Sequence, residues 1–304
     1  MKKNLISIRN LSKRDIEEIL EESKKMEMVL KDNKNLDIMK GKILATLFFE
    51  PSTRTKLSFT SAMQKLGGNV IGFEAVESLS VAKGENLTDT IKTIENYCDI
   101  IVVRHPKEGA SRYVSQISSK PVINAGDGAN QHPSQTLLDL YSIKKFKNKI
   151  ENLNVTLLGD LKHARVMKTL AYALAMFKAN LTFVFPPGLG FPEWVLNEIK
   201  ERFGSKIIQT NDIYSGIRKA DVLYVCRIQK ERFADINEAE RLQKAFRITP
   251  EIIDQAKENM VILHALPKIT ELDPRIDKTK HAKYFEQVGY GIPVRTAIIK
   301  MVCQ

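Results

Sequence analysis

The stretch ILATLFFEPSTRTKLSF, residues 43–59, leads from an apolar run through a polar turn into a segment of helical period. Residues 43–49 predict a buried strand, and residues 53–66 predict a helix that is ended by a pair of glycines. The hydroxyls and the arginine at the helix start indicate an anion site, because helix N-termini bind anions through backbone N–H groups. A Ser or Thr at that position more often only caps its helix, so both interpretations stand.

The same alternation of short apolar runs and helical segments continues along the chain and predicts an α/β fold with parallel sheets. A polar break at KNKIEN divides the pattern into two domains joined near residue 148. Further strands are predicted at 70–74, 99–104, 121–124, 154–158, 181–185, 206–209, 221–226 and 260–264. Further helices are predicted at 12–31, 87–97, 109–117, 133–147, 163–177, 193–203, 213–219, 250–258 and 281–303. The segment GYGIP predicts an interruption of the last helix.

The amino-acid composition is that of a globular protein. The chain has 304 residues, of which 43% are apolar and 27% charged, as in globular proteins of two ordinary domains. No apolar run approaches the roughly 20 residues of a membrane span. The first fifteen residues contain no apolar leader segment. We therefore expect a cytoplasmic protein without membrane contact.

Cysteine content and charge exclude further classes. Cys98, Cys226 and Cys303 are odd in number and widely spaced, and the five histidines are scattered, so neither a disulfide framework nor a metal site is expected. The net charge of +11 raises the question of a nucleic-acid partner. Because no long basic tract occurs, solvated helix faces, anionic substrates or an acidic protein partner explain the charge better.

Polar side chains follow five of the predicted strands, where parallel α/β sheets bind their ligands. They share donor groups suited to anions and amides: Ser52, Thr53, Arg54 and Thr55; Arg104; His132 and Gln135; Arg165; and Arg227 and Gln229. Arg227 and Gln229 point the same way if their strand extends that far. Taken singly, each could be a structural or surface residue. There is no GxGxxG or GxxxxGK[ST] motif and no activated nucleophile, which indicates catalysis by orientation and oxyanion stabilisation.

Seven segments of the chain together resemble the catalytic chains of the aspartate carbamoyltransferase family: STRTKLSF, VAKGEN, RHPKEGA, NQHPSQTLLDL, GDLKHAR, RIQKERF and HALP. The resemblance extends from about residue 4 to the last helix. It implies transfer of the carbamoyl group of carbamoyl phosphate to L-aspartate, giving N-carbamoyl-L-aspartate and phosphate, without a cofactor. In the family this is an early step of pyrimidine synthesis. The implied domains are 1–148 and 149–284, with a C-terminal helix at about 285–304 that returns to the first domain.

The resemblance also implies a role for each matching residue. The implied phosphate ligands are Ser52, Thr53, Arg54, Thr55 and Arg104. The implied donors to the carbamoyl oxygen are Thr55, Arg104 and His132. The implied acceptors from the carbamoyl NH₂ are Gln135 and the backbone carbonyls around Leu266 and Pro267. The implied ligands of the aspartate carboxylates are Arg165, Arg227 and Gln229. The family pattern further implies a cis Leu266–Pro267 peptide bond.

Family members are trimers in which a neighbouring subunit contributes a serine and a lysine to each active site. Lys83 matches that lysine, whereas Leu79 stands where serine is usual. In the last motif, Ala265 and Lys268 replace the usual proline and arginine. Whether regulatory chains bind is left open. The alternatives are a carbamoyltransferase for another amine, such as ornithine, and a non-catalytic anion-binding homologue.

Overall fold

Two parallel β-sheets form the centres of the two units into which the chain divides. The computed structural model describes residues 4–31, 36–74 and 84–303. One unit comprises Met1–Tyr141 and Tyr290–Gln304, and the other comprises Ser142–Gly289. Within the described part of the chain, no helix has the length and apolar character that crossing a membrane requires.

The sheet of the first unit has the strand order β2-β1-β3-β4, and all its strands are parallel. The strands are β1 (Ile43–Phe48), β2 (Asn69–Glu74), β3 (Ile100–His105) and β4 (Val122–Asp127). The first five helices of the chain are α1 (Lys13–Lys31), α2 (Thr53–Lys65), α3 (Leu87–Ile94), α4 (Ala110–Ile117) and α5 (Pro133–Lys147). The central strand β3 begins with four fully buried β-branched residues, as expected for a parallel sheet covered on both faces.

Strand register brings the carboxyl ends of the first sheet to one edge. Phe48 of β1 lies opposite both Glu74 of β2 and Arg104 of β3. His105 of β3 lies opposite Asp127 of β4. The segments that follow β1, β3 and β4 therefore leave the sheet side by side, where ligands bind in folds of this kind.

The sheet of the second unit has the strand order β7-β6-β5-β8-β9 and is also parallel. Its strands are β5 (Asn154–Leu158), β6 (Asn180–Val184), β7 (Ile207–Thr210), β8 (Val222–Val225) and β9 (Val261–His264). The next six helices are α6 (Arg165–Met176), α7 (Glu193–Phe203), α8 (Ile213–Arg218), α9 (Ile236–Ala245), α10 (Pro250–Ile253) and α11 (Tyr284–Gly289). Short 3-10 helices occur at Ile8–Asn10, Lys230–Arg232 and Pro274–Lys278.

The C-terminal helix α12 (Gly291–Cys303) packs against α1 and α2 of the first unit. Lys300 of α12 donates to Glu22 of α1 at 2.6 Å, and Arg295 donates to Ser58 of α2 at 3.0 Å. The predicted return of this helix to the first domain is thereby confirmed. The predicted interruption is also present, because α11 ends at Gly289 and α12 begins at Gly291.

All nine predicted strands are present, whereas one predicted helix is too long and one helix was not predicted. The helix predicted at 250–258 ends at Ile253, because the following backbone bonds tighten to three-residue spacing from Gln255 to Ile252 and from Ala256 to Ile253. Helix α9 was not predicted, although Ile236, Ala239 and Leu242 recur at helical spacing; only Ala239 on it is fully buried.

Gly159 lies where the end of β5 passes close to the residue that follows β8. Its φ is +125°, and a Cβ there would lie 2.1 Å from the backbone oxygen of Cys226. We expect Gly159→Ala to lower the free energy of unfolding by more than about 3 kcal/mol, because backbone strain and a backbone clash add. Urea unfolding would measure the change.

Gly188→Ala is the matched control for this substitution. Gly188 also has a positive φ, of +80°, but no atom lies within 4 Å of the added Cβ. We expect it to lose only the strain term of about 1 kcal/mol. Equal losses in the two variants would show that the close approach to Cys226 is unimportant.

Candidate functional site

The start of α2 is built differently from a simple capped helix. Ser52 occupies the N-cap position, but its hydroxyl donates to the Thr55 hydroxyl at 3.1 Å and makes no cap bond to the backbone. The Ser52 N–H donates to a carboxylate oxygen of Glu74 at 2.8 Å. The first turn of α2 thus keeps its N–H groups without a side-chain cap, which favours the anion interpretation of this sequence.

Arg54 and Thr55 lie in this first turn, next to Thr53. Thr55 is buried, whereas Arg54 is exposed. Partial burial lowers the pKa of Arg54. A cation in partly dehydrated surroundings interacts more strongly with an anion than one in bulk water does. The turn therefore combines backbone donors, hydroxyl donors and a guanidinium at one point.

Arg104 is a fixed, buried side chain rather than a surface residue. It ends β3 with 9% of its surface exposed. Its Nη2 donates to Glu50 at 3.0 Å, and its Nη1 donates to the backbone oxygen of Ala125 at 3.3 Å. The guanidinium is therefore positioned from β4 and from the turn that follows β1.

Asp127 organises the loop between β4 and α5. Its carboxylate accepts from the N–H of Gln131 at 3.0 Å, from the amide of Asn124 at 3.0 Å and from the amide of Asn130 at 3.1 Å. It also accepts from the Gly109 N–H at 3.0 Å. This buried carboxylate fixes the conformation from which α5 starts.

His132 and Gln135 are buried at the beginning of α5, with 4% and 8% of their surface exposed. The His132 Nδ1 lies 3.4 Å from the Ser134 hydroxyl. The Gln135 Nε2 donates to Asp139 at 2.8 Å. Both candidate residues therefore belong to an ordered, buried polar cluster at the same sheet edge as Arg104 and the start of α2.

In the second unit, register again gathers three motifs. Leu158 of β5 lies opposite Val225 of β8, and Val225 lies opposite His264 of β9. The segments GDLKHAR, CRIQKERF and ALPK follow these residues and so leave the sheet at one edge. Arg165 begins α6 there and is half-buried.

Asp160 connects two of these segments. It is fully buried and accepts from the His163 N–H at 3.0 Å, and it approaches the His163 ring Nδ1 to 3.0 Å. It also accepts from the Gln229 N–H at 3.4 Å. The carboxylate thus ties the loop after β5 to the loop after β8.

Arg227 forms a two-armed ion pair with Glu231, at 3.0 and 2.5 Å. The hydrogen bond to Glu231 raises the pKa of Arg227, and the same contact lowers the pKa of Glu231. Strand β8 ends at Val225, and Gln229 directly precedes the 3-10 helix Lys230–Arg232. The two side chains were expected to point the same way only if the strand continued to Gln229. The strand ends before Arg227, so that condition is not met.

The Leu266–Pro267 peptide bond is cis, as predicted. His264 holds this loop from both ring nitrogens: Nδ1 accepts from the Leu266 N–H at 2.8 Å, and Nε2 lies 2.8 Å from a carboxylate oxygen of Glu271. Lys268 forms an ion pair with Asp277 at 2.9 Å. The lysine that replaces the usual arginine is thus anchored within the second unit.

The predicted site residues therefore form one set in each unit. The first unit holds Ser52, Thr53, Arg54, Thr55, Arg104, His132 and Gln135, and the second holds Arg165, Arg227, Gln229, Leu266 and Pro267. Lys83 and Leu79 lie outside the described residues. In residues 4–31, 36–74 and 84–303, no group of three or more His, Cys, Asp or Glu side chains could hold a metal ion.

Sequence analysis missed the acidic residues that support these side chains. Glu50 contacts Arg104, and Asp160 contacts Gln229, only in the folded chain. No local sequence pattern predicts these contacts. Asp139 and Glu231 stand four residues after Gln135 and Arg227, which is the spacing of neighbours on a helix surface. That spacing was a usable signal on helix α5 only, because Arg227 lies in the loop before the 3-10 helix Lys230–Arg232.

Comparison with known proteins gives matches over nearly the whole chain. Residues 3–145 match the carbamoyl-P binding domain of aspartate/ornithine carbamoyltransferases, and residues 151–302 match the Asp/Orn binding domain. The aspartate carbamoyltransferase catalytic subunit of Thermococcus kodakarensis is 52% identical over 297 residues, which cover 98% of this chain and 96% of the relative.

Solved structures give the same result. The catalytic subunit of M. jannaschii aspartate transcarbamoylase is 46% identical, with a TM-score of 0.93, over 99% of this chain and 97% of that chain. The aspartate transcarbamoylase of Trypanosoma cruzi, solved with carbamoyl phosphate and aspartate, is 33% identical, with a TM-score of 0.92. That match covers 98% of this chain and 94% of the other.

Proposed function

Because the chain belongs to the aspartate/ornithine carbamoyltransferase family, we propose that it transfers the carbamoyl group of carbamoyl phosphate to the amino group of L-aspartate. The products are N-carbamoyl-L-aspartate and phosphate. The observation that carries the choice of amine is the pair of arginines at the carboxyl edge of the second sheet, Arg165 and Arg227. Two guanidinium groups suit the two carboxylates of aspartate, whereas they repel the side-chain ammonium of ornithine.

The first unit binds carbamoyl phosphate in this proposal. The phosphate group of this substrate lies against the start of α2, where donors are offered by Ser52, Thr53, Arg54 and Thr55. Arg104 adds a second guanidinium. The uncapped N–H groups of α2 and the helix dipole favour the same charge. As the bond between carbon and phosphate oxygen breaks, negative charge grows on the phosphate, so these donors bind the transition state more strongly than the substrate.

The carbamoyl oxygen is the second place where negative charge develops. The amine attacks the carbamoyl carbon, the new C–N bond forms, and an electron pair moves onto that oxygen. Thr55, Arg104 and His132 are the proposed donors to it. The oxygen then returns the electron pair, the phosphate leaves with the electrons of the C–O bond, and the leaving phosphate accepts the proton that the nitrogen loses. Burial of all three donors supports this role, because such interactions are stronger away from water.

The second unit binds aspartate through Arg165, Arg227 and Gln229. The ion pair with Glu231 fixes the position of the Arg227 guanidinium before substrate arrives, which lowers the ordering cost of binding. The proposal includes a homotrimer in which Lys83 of a neighbouring subunit completes the site. It places the enzyme in the cytoplasm at an early step of pyrimidine synthesis.

Purified protein should form carbamoylated product from carbamoyl phosphate and L-aspartate, and none from L-ornithine under the same conditions. Chromatography of the two products in parallel reactions would measure this. Product from ornithine alone would overturn the proposed amine while retaining the family chemistry. Binding of carbamoyl phosphate without product from either amine, at high protein concentration, would favour a non-catalytic homologue.

A further inference from the structure

Arg295 is a buried guanidinium that packs against the middle of α2 in the first unit. It lies on α12 with 4% of its surface exposed. Its Nη1 donates to the Ser58 hydroxyl on α2 at 3.0 Å, and its Cζ lies 5.2 Å from the centroid of the Phe59 ring. A Cβ at Gly291 would lie 2.4 Å from this Nη1, so the glycine leaves the space that the side chain occupies.

The counter-charge of Arg295 is Asp139 on α5. Burial lowers the pKa of Arg295 to about 10, and the Asp139 carboxylate opposes that shift. Asp139 is itself fully buried. A carboxylate in such surroundings is very costly unless a cation and hydrogen bonds compensate for the lost water. The positive charge of Arg295 acts on this carboxylate through space, and the amide of Gln135 donates a hydrogen bond to it at 2.8 Å.

This arrangement decides which way the Gln135 amide faces. A carboxylate only accepts hydrogen bonds, so the NH₂ end of the amide must face Asp139. The amide oxygen is then turned to the opposite side, where it offers an acceptor. An acceptor selects ligands that carry N–H groups, and the reacting group of carbamoyl phosphate carries an NH₂.

We propose that Asp139 is a positioning residue that orients the Gln135 amide through their hydrogen bond and thereby makes the first unit prefer carbamoyl phosphate to acyl phosphates without an NH₂. The inference rests on the proposed function. Acetyl phosphate is the matched probe, because a methyl group replaces the NH₂ and the phosphate is unchanged. The preference is the ratio of the affinities for carbamoyl phosphate and acetyl phosphate, measured by calorimetry.

Asp139→Leu is the first variant. Leucine has no acceptor, so the NH₂ end of the Gln135 amide loses the partner at 2.8 Å that orients it. The Gln135 amide can then present its N–H groups to the ligand. We expect the wild-type preference to be at least about tenfold, and the variant to lose it through weaker binding of carbamoyl phosphate, with acetyl phosphate unchanged.

The double variant Asp139→Leu with Arg295→Met keeps the inference testable if the single variant does not fold. It removes both buried charges together, which proteins often tolerate. Gln135 then has no partner to orient it, and the preference should again fall towards one. Tyr141→Phe is the control, since it removes a buried hydrogen bond to Glu27 from the same helix and should leave the preference intact.

Affinity for inorganic phosphate should be the same in the wild type, in Asp139→Leu and in Tyr141→Phe, because these variants remove no contact of α2 described above. A folded Asp139 variant that keeps the wild-type preference would overturn the inference. Equal affinity of the wild-type protein for carbamoyl phosphate and acetyl phosphate would also overturn the inference. If that protein carbamoylates aspartate, the proposed function would still hold. A wild-type protein that transfers nothing to aspartate would instead contradict the proposed function.

Discussion

Replacing Arg54 with alanine should lower kcat for carbamoyl transfer by about 10²–10³-fold, the usual effect of removing one donor to developing charge. Arg54 stands in the first turn of α2, where the Ser52 hydroxyl bonds Thr55 and leaves the backbone donors uncapped. Neighbouring atoms remove part of the hydration of Arg54 and lower its pKa, although the side chain as a whole is exposed. Because the phosphate gains charge as it leaves, the loss should fall on kcat as well as on binding.

The same substitution should leave the fold intact. Arg54 is exposed, so unfolding in urea should change by less than about 0.5 kcal/mol. Arg112→Ala is the matched control: this arginine is exposed on α4 of the same unit and donates to Asn10. Its kcat should equal that of the wild type. A folded Arg54→Ala enzyme with near-normal turnover would show that α2 does not hold the phosphate.

The elements that sequence analysis predicted are those with a strong local pattern. Residues 43–49 and 100–103 are continuous apolar runs, which parallel strands buried on both faces require. The start of α9 has Asp235 as its N-cap, with Glu238 three residues later, so a capping signal was present. Ile236, Ala239 and Leu242 add a helical apolar spacing, so this helix was predictable from the sequence and was overlooked.

The candidate site was predictable only in part. Polar residues directly after strands can be predicted as site residues, because a parallel sheet brings the carboxyl ends of its strands to one edge. The groups that fix them come from distant parts of the chain: Glu50 lies 54 residues from Arg104, and Ser58 lies 237 residues from Arg295. No local period encodes such contacts, so they become visible only when the sheet registers and the path of α12 are known.

The two units also differ in how their arginines are held. Arg104 is buried against Glu50 and a backbone carbonyl, whereas Arg227 is half-exposed and paired with Glu231. Water already reaches part of a half-exposed guanidinium. A ligand can replace this water at modest cost in free energy, which suits an arginine that binds a substrate carboxylate. The aspartate specificity of the second unit should therefore depend strongly on Arg227.

Arg227→Met should lower kcat/KM for aspartate by roughly 10²–10³-fold, because the fork that binds a carboxylate through two hydrogen bonds is lost. Affinity for carbamoyl phosphate, which the first unit binds, should be unchanged in calorimetry. Arg227→Lys keeps the charge without the fork and should recover only part of the loss. Arg232→Met is the control, since Arg232 is exposed in the same segment. An equal loss in the Arg232 variant, or an unchanged KM for aspartate in the Arg227 variant, would remove Arg227 from the aspartate site.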